Sequence, residues 1–279
     1  MPDNLKTLLA DDRILLVGGG KMGMALLQGW LAAGLSPAQF AVQEPQPSDA
    51  LLATGVAVNP SEPFTPSLTV LAIKPQMAAD VLPGLGLPAG SVAISLMAGV
   101  AMATISRLLG GAVGCIRTMP NTPAALGKGM TALCADAAVA AAAKDKATAL
   151  LAAVGETVWL DDEAMIDAVT AISGSGPAYV FHMAEALTAG GRALGMDEAM
   201  AQKLALQTII GAAAMLDTPD ADAAQLRRNV TSPGGTTQAA LDVLMAENGL
   251  GSLLRHATQN AADRAKQLAR EAADADTQS

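Results

Sequence analysis

From Arg13 to about Leu160 the chain switches repeatedly between short β-rich apolar runs and Ala- and Leu-rich stretches of helical spacing, and after Asp161 the strands stop. The runs are Ile14–Val17, Phe40–Gln43, Leu68–Ile73, Val92–Ser95, Gly114–Met119, Met130–Leu133 and Thr157–Leu160. Alternating β and α elements are most economically arranged as a parallel, doubly wound sheet. The remainder of the chain reads as helix after helix, broken at Gly195, at Thr218–Pro219, at Ser232–Gly235 and at Asn248–Gly249. Two domains are expected: an α/β domain over residues 1–161 and an all-helical domain over 162–279. At the boundary, the acidic residues from Asp161 to Glu163 are expected at the N-terminus of a long helix, where they favour its dipole.

Composition narrows the function classes. Of 279 residues, 51% are hydrophobic but only 2% aromatic, so the core is filled by Ala, Val, Leu, Ile and Met, which suits closely packed helices. A net charge of −9 argues against a protein that tracks nucleic-acid phosphates, which needs clustered Lys and Arg. The two cysteines, Cys115 and Cys134, lack the spacing of a metal site and read as buried free thiols in a reducing compartment. No metal site is expected. The charged start, with Asp3, Lys6, Asp11 and Asp12, does not resemble a signal peptide, so a cytoplasmic location is expected. Between Asp167 and Glu185 the chain carries no charge, but Gly174, Ser175, Gly176 and Pro177 interrupt it. A helix buried between protein surfaces is expected there, not a membrane span.

The first chemical motif is VGGGKMG, Val17 to Gly23, lying directly after a strand and opening a helix. Gly18 permits the tight turn, Gly20 lets a pyrophosphate approach the backbone, and Gly23 lets the helix lie close to the sheet, with Lys21 and Met22 between them. Glu44 lies 21 residues beyond Gly23, where an acid would hydrogen-bond the adenosine ribose and repel a 2′-phosphate. No Lys or Arg occurs between Lys21 and Lys74. Both facts favour NADH over NADPH, the plainer alternative being that Glu44 is a solvated turn residue and specificity is set elsewhere. Lys74 and Pro75, in AIKPQ, stand at a strand's carboxyl end, the edge at which open α/β sheets bind ligands. Met119, Pro120 and Asn121 end a later strand in a turn clamped by prolines, which suits a wall beside a nicotinamide ring and equally a merely structural turn.

In the helical half, Ser232, Pro233, Gly234 and Gly235 form a loop feeding a helix that begins near Thr236. Free amide groups and the positive end of the dipole converge there, a site for a carboxylate. Ser232, Thr236 and Thr237 add hydroxyls, which in the plainer reading are helix caps.

In this order, VGGGKMG, IKPQ, SLMAGV, RTMPNTPA, GSGPAYVF and SPGGTT resemble the pyrroline-5-carboxylate reductase family over nearly the whole chain. The resemblance implies a Rossmann-type domain holding NADH or NADPH and a helical domain that interlocks with a second subunit. It also implies an active site at that dimer interface, with rings of dimers in some members. Carried over by motif, Gly18, Gly20 and Gly23 hold pyrophosphate, while Lys74, Met119, Pro120 and Asn121 line the cofactor. Ser232, Gly234, Gly235, Thr236 and Thr237 then hold the small-molecule substrate. Lys21 stands where the family usually has Asn, and Glu44 where NADPH-using members tend to have Ser, Thr or Asn with a basic neighbour.

The implied reaction, the last step of proline biosynthesis, is hydride addition to a protonated cyclic imine. As the iminium carries its own charge, positioning does most of the work. His182 and His256 belong to no triad, and Thr237, with Ser232 beside it, is the expected substrate-touching hydroxyl. The β-hydroxyacid dehydrogenases, which pair similar domains, need a catalytic lysine, and none occurs between Lys146 and Lys203. A non-catalytic dinucleotide sensor would not need the SPGGTT loop. Another cyclic imine acid is the alternative substrate.

Overall fold

A computed structural model describes residues 5–111 and 113–277 of the chain. Asp3, one of the charges at the start, lies outside them. Eight strands form one sheet: β1 (Ile14–Val17), β2 (Phe40–Gln43), β3 (Ala57–Val58), β4 (Leu68–Leu71), β5 (Val92–Ser95), β6 (Gly114–Met119), β7 (Gly129–Ala135) and β8 (Gly155–Trp159). Their order is β3-β2-β1-β4-β5-β6-β7-β8. The chain leaves β1 toward β2 and β3, then returns on the other side as β4, with Val17 beside both Gln43 and Leu71. The strand order therefore reverses at β1, and the crevice above its carboxyl end is where doubly wound sheets bind ligands.

The sheet corrects the expectation in two places. It is not wholly parallel, because β7 runs antiparallel to β6, pairing Arg117 with Cys134 and Met119 with Ala132. Only the turn Thr122–Leu126 and a few residues connect them, too little chain for a parallel crossover. The two-residue β3, beside β2, is too short to leave a periodic signal.

Both faces of the sheet are covered. On one, Leu26, Leu27 and Trp30 of the helix Lys21–Ala32 pack with Leu150 and Leu151 onto Ile14, Leu16, Phe40 and Val70. Trp30 stacks on Phe40 with ring centroids 5.6 Å apart, and its Nε1–H donates to the Leu150 carbonyl at 2.8 Å. On the other, Leu15, Val17, Leu71 and Ala93 meet Leu82, Val100 and Ile105.

The contacts divide the chain into two compact units, one ending at Ser175 and taking in residues from Ala261 onward, the other Gly176–Asn260. Strand pattern alone sets the division at 161/162, where the strands end. The segment beyond β8 still belongs to the sheet's core, since Ile166 is fully buried against Met119 and Cys134. In the second unit, the helices Gly176–Ala193 and Glu198–Leu216 pack on each other, followed by Ala223–Asn229, Thr236–Leu244 and the first part of Leu250–Thr277. The stretch between Asp167 and Glu185 is broken by a wide π-type turn at Thr170–Gly174. The helix Glu198–Leu216 is long and apolar enough to cross a membrane, yet small residues, Ala201 and Ala205, are the ones it buries within the chain.

Candidate dinucleotide and carboxylate sites

β1 ends in the glycine-rich turn. Gly18 adopts φ +102°, a left-handed backbone that other residues avoid, and a Cβ there would collide with the Ala72 carbonyl of the strand-β4 end. A Cβ on Gly23 would fall on the Gly18 carbonyl, so only glycine lets the helix lie this close. Around Gly20, by contrast, nothing stands within 4 Å of a Cβ position. The helix Lys21–Ala32 starts on Gly20 without a side-chain cap, so its first amides and positive dipole end open into that free space. The arrangement fits a pyrophosphate. Lys21 is exposed at the same end, while Met22 turns partly inward onto the core.

Glu44, at the end of β2, leans over this turn. Its Oε2 accepts the Gly19 N–H at 2.7 Å and its Oε1 the Gln46 N–H at 3.1 Å, which fixes the carboxylate plane. Lys74 is exposed at the carboxyl end of β4, where it begins the turn Pro75–Met77, with Pro75 half-buried.

Met119 ends β6, and Pro120 and Asn121 follow it. The Met119 side chain is buried with Cys134 and Ile166, and Pro120 is buried beside it. The Asn121 amide Nδ2–H donates to the carbonyl (3.2 Å) and Oγ (3.1 Å) of Ser173, and its Oδ1 accepts the Met130 N–H at 2.9 Å. Its side chain ties the turn after β6 to the π-type turn. The prolines signal a turn here, but nothing in the local sequence shows that the asparagine's partners lie 9 and 52 residues away.

One linkage has no counterpart among the sequence expectations. Arg117, 5% exposed, donates from Nη1 to Glu163 Oε1 at 2.9 Å, and the same oxygen accepts the Met102 N–H at 2.9 Å. Glu163, expected to serve the helix after it, instead caps the helix Met102–Leu108 from across the sheet edge. That joins the loop after β5, strand β6 and the segment beyond β8. The available signal is a lone arginine within the apolar run of β6. The two cysteines are free and buried. Burial, reinforced by the negative charges of Asp136 and Glu163, pushes the Cys115 thiol up to about 12. Burial also pushes Cys134 up.

In the second unit, Gly234 has φ +68°, and Gly235 caps the helix Thr236–Leu244 without any side-chain bond. The Gly235 N–H donates to the Ser232 carbonyl at 3.0 Å, closing the turn. A Cβ on Gly235 would run into Ser232 Oγ. Ser232 and Thr236 are exposed and Thr237 half-buried. Since the capping residue is glycine, the helix-cap reading of these hydroxyls does not hold for this end, and the first amides of the helix stay open to an anion. His182 lies on the surface, 3.0 Å from Glu185. Among the described residues no three of His, Cys, Asp and Glu cluster as metal ligands would.

The chain matches the model of pyrroline-5-carboxylate reductase dimerisation over residues 163–268 and that of NADP oxidoreductase, coenzyme F420-dependent, over residues 13–99. It is 39% identical to a pyrroline-5-carboxylate reductase of Pseudomonas aeruginosa, across 94% of this chain and 98% of that one. It is also similar to the solved structure of a pyrroline-5-carboxylate reductase from Coxiella burnetii, with TM-score 0.86 and 35% identity, covering 92% of this chain and 98% of that one. A pyrroline carboxylate reductase structure from Plasmodium falciparum with NADP bound matches with TM-score 0.79 and 26% identity, over 93% and 98% of the two chains.

Proposed function

Because the chain belongs to the pyrroline-5-carboxylate reductase family, we propose that it reduces 1-pyrroline-5-carboxylate to L-proline, the last step of proline biosynthesis. The observation that carries this reading is the pair of helix N-termini left uncapped by side chains, at Lys21 and at Thr236, each opened by glycines. One suits a pyrophosphate and the other a carboxylate.

The nicotinamide dinucleotide supplies the hydride. The chain's own residues bind and orient. The amides after Gly20 hold the pyrophosphate, with Gly18 and Gly23 setting the turn. The amides after Gly235, with the Ser232 and Thr237 hydroxyls, hold the substrate carboxylate, and Thr237 touches the substrate. The protonated imine carries its own positive charge, so alignment does the main work, worth up to about 7–11 kcal/mol in well-oriented systems. Asn121 keeps the turn after β6 in place from behind.

Glu44 makes NADH the preferred cofactor. Its carboxylate, fixed by the Gly19 and Gln46 amides, accepts ribose hydroxyls and repels a 2′-phosphate, and no cation between Lys21 and Lys74 offsets it. The test is the initial rate of NADH oxidation on adding pyrroline-5-carboxylate, with NADPH in parallel. A clear NADPH preference sinks the reading of Glu44. No turnover with either, from folded protein that binds dinucleotide, points to a sensor or another cyclic imine.

The working protein is a homodimer, interlocked through the helical unit and able to build rings of dimers. Its support is the apolar surface of that unit, where Phe181, Leu204, Ile210 and Leu253 lie about half or more exposed in the single chain. Sedimentation at several concentrations reads the assembly directly. A cytoplasmic location accords with two free thiols, and cell fractionation tests it.

A further inference from the structure

Glu44 does not hold its position alone. The residue standing across from it is Asn59, just past β3, which has φ +46°, one of two non-glycine residues in the left-handed region among those described. Asparagine tolerates that region better than most residues but still at some strain. Its side chain closes a two-point clamp on the Glu44 peptide: Asn59 Oδ1 accepts the Glu44 N–H at 2.9 Å and Asn59 Nδ2–H donates to the Glu44 carbonyl at 2.7 Å. The Asn59 N–H donates in turn to the Val42 carbonyl at 2.8 Å, anchoring the clamp to β2.

The clamp matters because of what lies on either side of it. β3 is only two residues long and ends at Val58, so the ladder cannot continue along Glu44. Pro45 follows Glu44 and has no N–H to donate. Without Asn59 the Glu44 backbone would have no partner on that side, and the carboxylate would lose its fixed line to the Gly19 N–H. The Asn59 side chain does what the next rung of the sheet would have done.

We propose that Asn59 is a positioning residue for cofactor choice: by clamping the Glu44 peptide it aims the Glu44 carboxylate at the ribose end of the dinucleotide. This rests on the reading of Glu44 given above. It predicts that specificity depends on a residue whose side chain acts through Glu44.

Asn59→Gly isolates the clamp, because glycine accepts φ +46° without strain and removes only the side-chain bonds. The expected result is a KM for NADH raised about tenfold, in line with losing hydrogen bonds that orient a charged group. kcat should stay within about twofold, and the NADH-to-NADPH efficiency ratio should fall by about the same tenfold. Asn59→Asp keeps the acceptor but sets an oxygen against the Glu44 carbonyl, so it should also lower the ratio. In a Glu44→Ala background, Asn59→Gly should change the ratio no further. Titrating NADH by its fluorescence checks the binding directly. If the wild type prefers NADH and Asn59→Gly leaves the ratio as it was, or lowers it equally in the Glu44→Ala background, the proposal for Asn59 is wrong while the reading of Glu44 stands. If the wild type prefers NADPH, both fall.

Discussion

The two units of the chain use the same aliphatic alphabet to opposite ends. In the sheet unit the apolar residues are consumed inside the chain, with Ile14, Leu16, Leu26 and Trp30 fully buried. In Gly176–Asn260 the apolar residues line helices whose outward faces stay open: Leu194 is 82% exposed and Val243 71%. A strand covered on both faces finds its core within its own domain, whereas a thin layer of helices has one side too many. The first unit is a finished core, and the second, which matches a dimerisation domain, leaves an apolar face open that the proposed homodimer would cover.

Breaking that contrast at its weakest point should give the largest effect. Ile210→Asp puts a carboxylate on the exposed face of Glu198–Leu216, where closure against a second copy would strip its water at several kcal/mol. The protein should sediment as a folded monomer with pyrroline-5-carboxylate turnover down on the order of a thousandfold. A dimer of normal activity would mean that this face is not the interface. In the finished core, Trp30→Ala removes a stacked ring and the bond to Leu150, lowering unfolding free energy by about 3–5 kcal/mol. Urea titration reads it, and a small loss would show that the sheet unit also relies on a partner.

The open helix end of the second unit gives a sharper probe of chemistry than of fold. Thr237→Ala should lower kcat/KM about ten- to hundredfold, the loss of one hydrogen bond to a charged group, while the melting temperature barely moves. Unchanged kinetics would remove Thr237 from the site. At neutral pH the smallest effect belongs to Cys115. Its folded thiol holds its proton up to about 12, against 9.0 when unfolded. This thiol therefore adds no pH dependence well below pH 9, and its contribution to stability falls as pH rises from there toward 12, because only the unfolded chain releases the proton. Cys115→Ala should flatten that part of the pH–stability curve, and an unaltered slope would assign it to other groups.

Much of the fold is legible in the sequence because it is local. β1, β2, β5 and β6 begin and end where their apolar runs do, and Thr236 opens its helix where the SPGG loop predicts. The Gly18 turn is legible because its requirement, a backbone without a Cβ, is written in residue type. The antiparallel β7 is not, because run length and hydropathy do not encode direction. Nor are the partners of Asn121, Glu163 and Glu44, since a hydrogen-bonding side chain looks the same in sequence whether it faces a ligand, a distant amide or water.

The sequence by itself therefore determined most of the strands and helices and where the phosphate-binding turn lies, which rest on periodicity and steric need along the chain, and its ordered motifs carried the resemblance to the family. Only the tertiary structure decided which polar side chains are left free. The Glu44 carboxylate meets Gly19 across 25 residues and Arg117 meets Glu163 across 46. Such bonds exist only after the sheet has brought the ends of its strands to one edge.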